Sequence, residues 1–367
     1  MKTPKSALKL LMVDSGAFAV WTRQKEINFR EYLMFCLDHP YCDHYVSLDV
    51  IPGIPNKSSS KTPTMIEEAC QQGWKNYQTM IEVLPKEKII PVFHQGDDIK
   101  WLHRYVDCGT PYIGISPAND RTTKQRRDWL TKNPLGGRSV KSVITDSRGN
   151  PIVKTHGFAV TALALMLPEV FPWTSVDSAT WGLTAGHGWI MIPKWEDGKW
   201  NYRKEPWRLS VSDTSPFRKK GVHVENISRN GEVEEYFRRF LKDHGIEMGS
   251  SEERKAEPGT KLQRGKERWA SRKKEKLVYV HSKGLATDDQ VRKAVNIRYF
   301  QNTARELGIK IYIAGFGMTP KVERIIEYRL TSYFDISQSD AIYNESFLLH
   351  YIRRRNESKQ RGISGEA

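Results

Sequence analysis

Six times in the first half of this chain a short apolar run ends on a polar residue and then breaks at Gly, Pro or another small residue. The runs are LLMVDSGAF around Asp14, YVSLDVIPG around Asp49, PVFHQGDD around Gln95, YIGISP around Ser116, VKTHGF around His156 and TSVDSATW around Asp177. A near-continuous apolar run of this length suits a strand buried on both faces, which is the parallel-sheet case. The stretches between them read as helices over 28–38, 63–84, 98–106, 120–130 and, briefly, 162–167, while 133–150 reads as a Gly- and Ser-containing excursion. Strands alternating with helices in this way predict an α/β fold with a parallel sheet. Polar residues at the strands' C-terminal ends predict a barrel whose chemistry sits on the loops at that end.

A chain of 367 residues is long enough for one such barrel and an insertion. The composition changes after Trp181. Five of the eleven tryptophans fall between Trp181 and Trp207, with Asp197-Gly198 as a hairpin signal among them. Residues 252–276 then hold ten Lys and Arg against five Glu, which reads as a mobile basic segment. Strand-like runs resume at 276–282 (KLVYVHS) and 309–315 (IKIYIAG), separated by a helix over 288–307, and 320–355 reads as mostly helical. The expected organisation is therefore strands one to six in 1–182, an inserted unit in 183–275, and the remaining barrel strands and terminal helices in 276–367.

Lys and Arg number 58 against 43 Asp and Glu, a formal charge of +15, which favours a polyanionic partner. Trp189, Trp195 and Trp200 alternate with cations such as Lys199 and Arg203, and Arg272, Lys273 and Lys274 extend the basic run. Aromatic faces among cations suit bases and phosphates of a nucleic acid. Neither a signal peptide nor a membrane span is read in the sequence, so a cytoplasmic protein is expected. The four cysteines, Cys36, Cys42, Cys70 and Cys108, lack CxxC spacing and predict neither a disulfide framework nor a zinc site.

On a barrel, Asp14 and Asp177 emerge at strand ends on the same face. Paired carboxylates can divide the work at a glycosidic carbon, one attacking and the other moving protons, with about 5–5.5 Å between them suiting a covalent route. Asp49, Gln95 and the backbone around Gly114 can supply hydrogen bonds to a flat heterocycle, and Phe18 and His156 can sandwich it. For each residue taken alone, capping or turn chemistry is the competing explanation.

VDSGAF, LDVIPG, FHQG, YIGIS, HGF and SVDSATW, in this order over roughly residues 8–182, resemble the landmarks of the tRNA-guanine transglycosylase superfamily. Within it the chain is most similar to the DNA-guanine transglycosylases, the DpdA family of phages and bacterial DNA-modification clusters. The resemblance implies an irregular TIM (β/α)8 barrel with the basic, Trp-rich insertion after about the sixth strand. It implies exchange of guanine in DNA for a 7-deazaguanine base such as a preQ0-like compound. Asp177 falls at the nucleophile position and Asp14 at the general acid/base position. Asp49, Gln95, Gly114 and Ile115 fall at base-recognition positions, with Ser15 in the same DSGAF turn. Phe18 falls at the stacking position, and His156 and Gly157 at the opposite wall. DNA and a free deazapurine base are the implied partners, partner DNA-modification proteins a further candidate, and no cofactor or metal is implied. The tRNA enzymes carry an Arg/Asn-rich segment after the nucleophile and a cysteine-containing zinc site near the C-terminus. Here Ser178-Ala179-Thr180-Trp181 follows Asp177 and no cysteine follows Cys108, so a tRNA enzyme is the alternative, beside a non-catalytic nucleic-acid-binding barrel.

Overall fold

The computed structural model describes residues 11–54, 60–132, 138–217, 220–229, 231–255, 267–269, 276–314 and 342–346. Of these, the residues up to Ala179 and from Thr303 onward form one compact unit, and Thr180–Asn302 form a second.

The first unit is mixed α/β and built on parallel strands. In spatial order these are Ile89–Ile90, His44–Val46, Leu11–Asp14, Ile342–Ser346, Lys310–Ala314, Ser175–Ser178, Lys154–Gly157, Tyr112–Ser116 and Val92–His94. Every pairing along this series is parallel. The two outermost members are neighbours in the chain, separated only by Pro91, whose ring removes a ladder donor. The backbone carbonyls on either side of that break are both used: Ser47 N–H donates to Ile90 O at 2.8 Å and Gly114 N–H to Pro91 O at 2.8 Å. Met12, Val46, Ile90, Tyr112 and Tyr312, from five strands, pack into one buried cluster with Val92 and Phe158 against it.

The helices between the strands start where side-chain caps take up the free N–H groups of the first turn. Asn28 caps Phe29–Asp38, Thr62 with Pro63 starts Pro63–Val83, and Asp98 caps Ile99–Asp107. Thr122 and Gln125 form a reciprocal capping box at Thr123–Thr131. The excursion after residue 138 contains a helix the sequence pattern did not reveal, Val140–Ile144, capped by Ser139 and buried through Val140, Val143 and Ile144.

Three expectations are corrected here. Lys276–His281 is not a strand of the main sheet. It pairs antiparallel with Ser251–Lys255 and Glu267–Trp269 in a separate three-stranded sheet of the second unit. Its place beside Lys310–Ala314 is taken by Ile342–Ser346, a strand inside the stretch that reads as helical. The basic segment 252–276 is likewise not wholly irregular, because two of those strands come from it. An isolated βα pattern cannot say which strand a run will pair with, and here pairing, not local composition, decided the outcome.

The second unit has its own core. Ile190, Ile192 and Leu209, from the antiparallel pair Trp189–Ile192 and Trp207–Ser210, pack with Phe237 and Phe240 of the helix Gly231–His244 and with Val291 and Val295. Buried Asn296 stitches this core: its oxygen accepts Met191 N–H, and its amide donates to Trp189 O and Trp181 O. The Asp197-Gly198 hairpin forms as the sequence signals. Both residues have positive φ, 50° and 76°, and Trp195 lies opposite Trp200 across the strands.

Candidate active site at the strand ends

Because the strands run parallel, the residues at their C-terminal ends share one edge of the sheet. Asp14 closes the strand Leu11–Asp14, whose Met12 and Val13 are buried. The chain then turns at Gly16, with φ 76°, into the short helix Ala17–Thr22. The backbone N–H groups of Ser15 and Gly16 hydrogen-bond the Asp14 carboxyl and favour its anion. Burial, with the nearby Asp49 charge, outweighs them and raises its pKa to about 6.

Asp177 stands in the strand Ser175–Ser178, opposite Tyr312 in register. Burial is again the largest influence, and repulsion from Asp14 adds to it, so that the pKa reaches about 7. Working the other way, the Ala159 N–H donates to Asp177 Oδ1. Ala159 holds φ at 51°, a left-handed conformation costing a non-glycine residue about 1 kcal/mol. That strain sits where the backbone turns a donor onto the half-buried Asp177 carboxylate. Asp14 thus acts on Asp177, and among the described residues neither acid is given a basic side-chain partner.

Asp49 is held differently. Its Oδ1 accepts the Ser15 hydroxyl at 3.0 Å, and its Oδ2 lies 2.9 Å from His94 Nε2. On the other side of that ring, His94 Nδ1 is 3.6 Å from Asp97 Oδ2, which also accepts the His94 backbone N–H at 2.8 Å. Burial opposes charge on His94, but the two carboxylates outweigh it and hold the ring protonated up to about 10. Asp49, His94 and Asp97 line a small, part-open pocket together with Cys70, Trp101 and Tyr105.

No family model matches the chain, and no curated protein matches it.

The remaining candidates divide. Phe18 stands on the helix Ala17–Thr22 with 51% of its surface exposed, beside Trp21, whose indole N–H is fixed to Gly53 O. An exposed ring at this edge is placed to stack on a flat ligand. The Gln95 side-chain oxygen accepts Ala118 N–H at 3.0 Å, tying one loop to the next. Gly114 and Ile115 already spend polar groups on the fold: Gly114 N–H donates to Pro91 O, and Ile115 O accepts Phe158 N–H. A Cβ at Gly114 would lie 2.4 Å from the Phe158 ring, so glycine is required there for that ring to lie down. Gly157 plays the same part under Val160 and Trp173.

His156 is 0% exposed. Its Nδ1 is 2.6 Å from Ser175 Oγ, which is also 2.6 Å from Tyr112 Oη, and its ring meets the rings of Phe158 and Tyr312 edge-on. Burial, with His44 nearby, lowers its pKa to about 3, so the imidazole is neutral. The residue expected as an open wall is thus enclosed within the sheet, and Phe158 lies above it. His94, Asp97, Ser175, Phe158 and Ala159 were not singled out by the sequence pattern. His94 could have been, since it immediately precedes Gln95 in FHQG.

In the second unit, Trp200 and Trp207 pack against the apolar core, and the Trp200 indole N–H donates to Asp243 at 3.2 Å. Trp195 carries Arg239 over its face at 4.3 Å, and Trp189 meets Phe217 edge-on at 5.1 Å. Lys199 and Arg203 are exposed. Arg272, Lys273 and Lys274 lie outside the described residues. None of the four cysteines is in a disulfide. Among the described residues no cluster of three or more His, Cys, Asp or Glu could hold a metal ion, and no helix is long and apolar enough to cross a membrane.

Proposed function

We propose that the chain is a DNA-guanine transglycosylase that exchanges guanine for a 7-deazaguanine base through a glycosyl ester on Asp177. The observation that carries this reading is the pair of half-buried carboxyls Asp14 and Asp177 at one sheet edge, both raised by loss of solvent, with the Asp14 charge raising Asp177 further. Two acids raised to about 6 and 7 share one proton near neutral pH; because the lower value belongs to Asp14, the reactive form, with Asp177 ionised and Asp14 protonated, is the less populated of the two singly protonated states.

In the exchange, a carboxylate oxygen of Asp177 attacks C1′ of the deoxyribose as the C1′–N9 bond breaks. Guanine leaves with that electron pair and takes its proton from Asp14. The incoming base returns a proton to Asp14, its N9 attacks C1′, and the ester bond to Asp177 breaks. Ala159 N–H stabilises the Asp177 carboxylate before attack and after release. Phe18 stacks on the base and Asp49 accepts from its N–H edge. The parallel pairings on both sides of Pro91 support the sheet as an irregular TIM (β/α)8 barrel, closed between Ile89–Ile90 and Val92–His94. The net charge of +15 supports a polymeric polyanion over a free nucleoside.

The deciding measurement is nucleoside mass spectrometry on DNA and on tRNA from cells that express the chain and make 7-deazaguanine precursors. A deazaguanine nucleoside in DNA, lost with Asp177→Asn, is the expected result. The same nucleoside in tRNA alone would move the reading to the tRNA enzymes, and neither would end it.

A further inference from the structure

The electrostatics around Asp49 carry a consequence for which base the site accepts, given the exchange reading. Ser15, 1% exposed, holds one Asp49 oxygen, and His94 holds the other. Carboxylate oxygens face both ring nitrogens, Asp49 at 2.9 Å from Nε2 and Asp97 at 3.6 Å from Nδ1, an arrangement that favours the doubly protonated ring over a neutral imidazole, which would turn a lone pair on one of them. The other titratable groups facing it add no opposing charge. Cys70, on the helix Pro63–Val83, and Tyr105, on Ile99–Asp107, are both pushed upward by burial and stay neutral. Lys100 is engaged with Glu67 at 2.9 Å. Among the residues lining the pocket, His94 is the sole base.

We infer that His94 is a positioning and specificity residue: set between Asp97 and Asp49, its ring, with the Ser15 hydroxyl, fixes the Asp49 carboxylate beside the Asp14–Ser15 turn, selecting bases that offer two N–H donors. A guanine-type edge offers two, at N1 and the 2-amino group. A hypoxanthine-type edge offers one, and an adenine-type edge presents a lone pair at N1 that only a protonated carboxyl could meet. Each carboxylate oxygen keeps a further lone pair for the ligand after its bond to Ser15 or His94.

The test is calorimetric binding of 7-deazaguanine and 7-deazahypoxanthine to the full chain, with nitrogen-detected NMR titration of the His94 ring. Wild type should prefer 7-deazaguanine by about tenfold or more, since a missing donor leaves a buried acceptor unpaired. His94→Gln should weaken 7-deazaguanine about tenfold and 7-deazahypoxanthine by under about threefold, collapsing the preference. Asp97→Asn, which keeps the His94–Asp49 contact, should shrink the preference less and let the ring deprotonate at lower pH. An unchanged preference in a folded His94→Gln protein overturns the inference. So does a neutral His94 ring at pH 7 in a protein that exchanges bases, which leaves the exchange reading standing. A wild type that binds neither base overturns the exchange reading and this recognition role together.

Discussion

Two sets of carboxyls share the C-terminal edge of the parallel sheet, and the protein treats them in opposite ways. Asp49 and Asp97 are given an imidazolium between them, and that ring is held charged far above its ordinary range. Among the described residues Asp14 and Asp177 are given none: their compensation comes from backbone N–H groups, and burial pushes both upward, with the Asp49 charge adding to the rise of Asp14 and the Asp14 charge to that of Asp177. A paired carboxylate is a fixed acceptor, suited to reading a ligand. An unpaired one is costly to the fold and can change protonation near neutral pH, as a reacting group must.

The largest effect that can break this contrast is on turnover. Asp177→Asn should lower base exchange by about 10³-fold or more and abolish any covalent protein–DNA adduct, because an amide cannot form the glycosyl ester. Asp14→Asn should slow exchange comparably, since the departing base then leaves without its proton. A DNA adduct trapped on Asp177→Asn would remove that residue from the nucleophile role.

The pH profile comes next. Exchange needs one carboxyl ionised and its neighbour protonated. Below about 6 both retain protons, and above about 7 both lose them, so the rate should fall on either side of that window. His94 does not titrate within it. A rate that keeps rising through pH 8 would show that no protonated carboxyl is needed.

Much of the unpaired set was legible in the sequence, and little of the paired set was. A strand running into Asp14-Ser15-Gly16 or Asp177 places the acid at the strand end by local pattern alone, and both residues sit there. The partnership of Asp49 with His94 spans two strands and a turn, so only the pairing of His44–Val46 with Ile89–Ile90 brings it about. The same limit explains His156. Period and composition place it at a strand end, yet whether the ring faces solvent or closes on Ser175 and Tyr112 depends on packing from neighbouring strands. It also explains KLVYVH, a good strand whose partners lie in the second unit. The tryptophans of that unit read as stacking platforms, while Trp200 and Trp207 are packed on its core, leaving Lys199 and Arg203 among the exposed cations around that hairpin.

Stability separates the two sets by sign. His94→Gln at pH 7 leaves Asp49 and Asp97 facing each other without a counter-charge. Breaking a fully buried pair costs about 3–5 kcal/mol, and with the His94 side chain 23% exposed a loss of about 2 kcal/mol is expected in urea unfolding. The His94 pKa in the fold lies above its ordinary 6.5, so its contribution is complete below that value and disappears as pH rises through about 10. Variant and wild type should therefore converge in stability near pH 10.5.

The smallest effect runs the other way and is the sharpest check of the comparison. The Asp177 pKa in the fold lies above the ordinary 3.8, so protonation favours the folded state. That contribution is complete below 3.8 and is lost as pH rises to about 7, beyond which the charge weighs against folding. Asp177→Asn removes the charge and keeps an oxygen for Ala159 N–H. Discounted for the partial exposure of the residue, the gain at pH 8 should be about 1 kcal/mol, a rise in Tm on the order of 2 °C. At pH 4 the two proteins should melt together, because the wild-type carboxyl is then already neutral. A variant that cannot exchange bases would thus be the more stable protein at pH 8, as expected where a reactive group is held at the fold's expense. If Asp177→Asn instead loses stability at pH 8 and not at pH 4, then the Asp177 charge is compensated in the fold. The difference between the two sets of acids would then disappear.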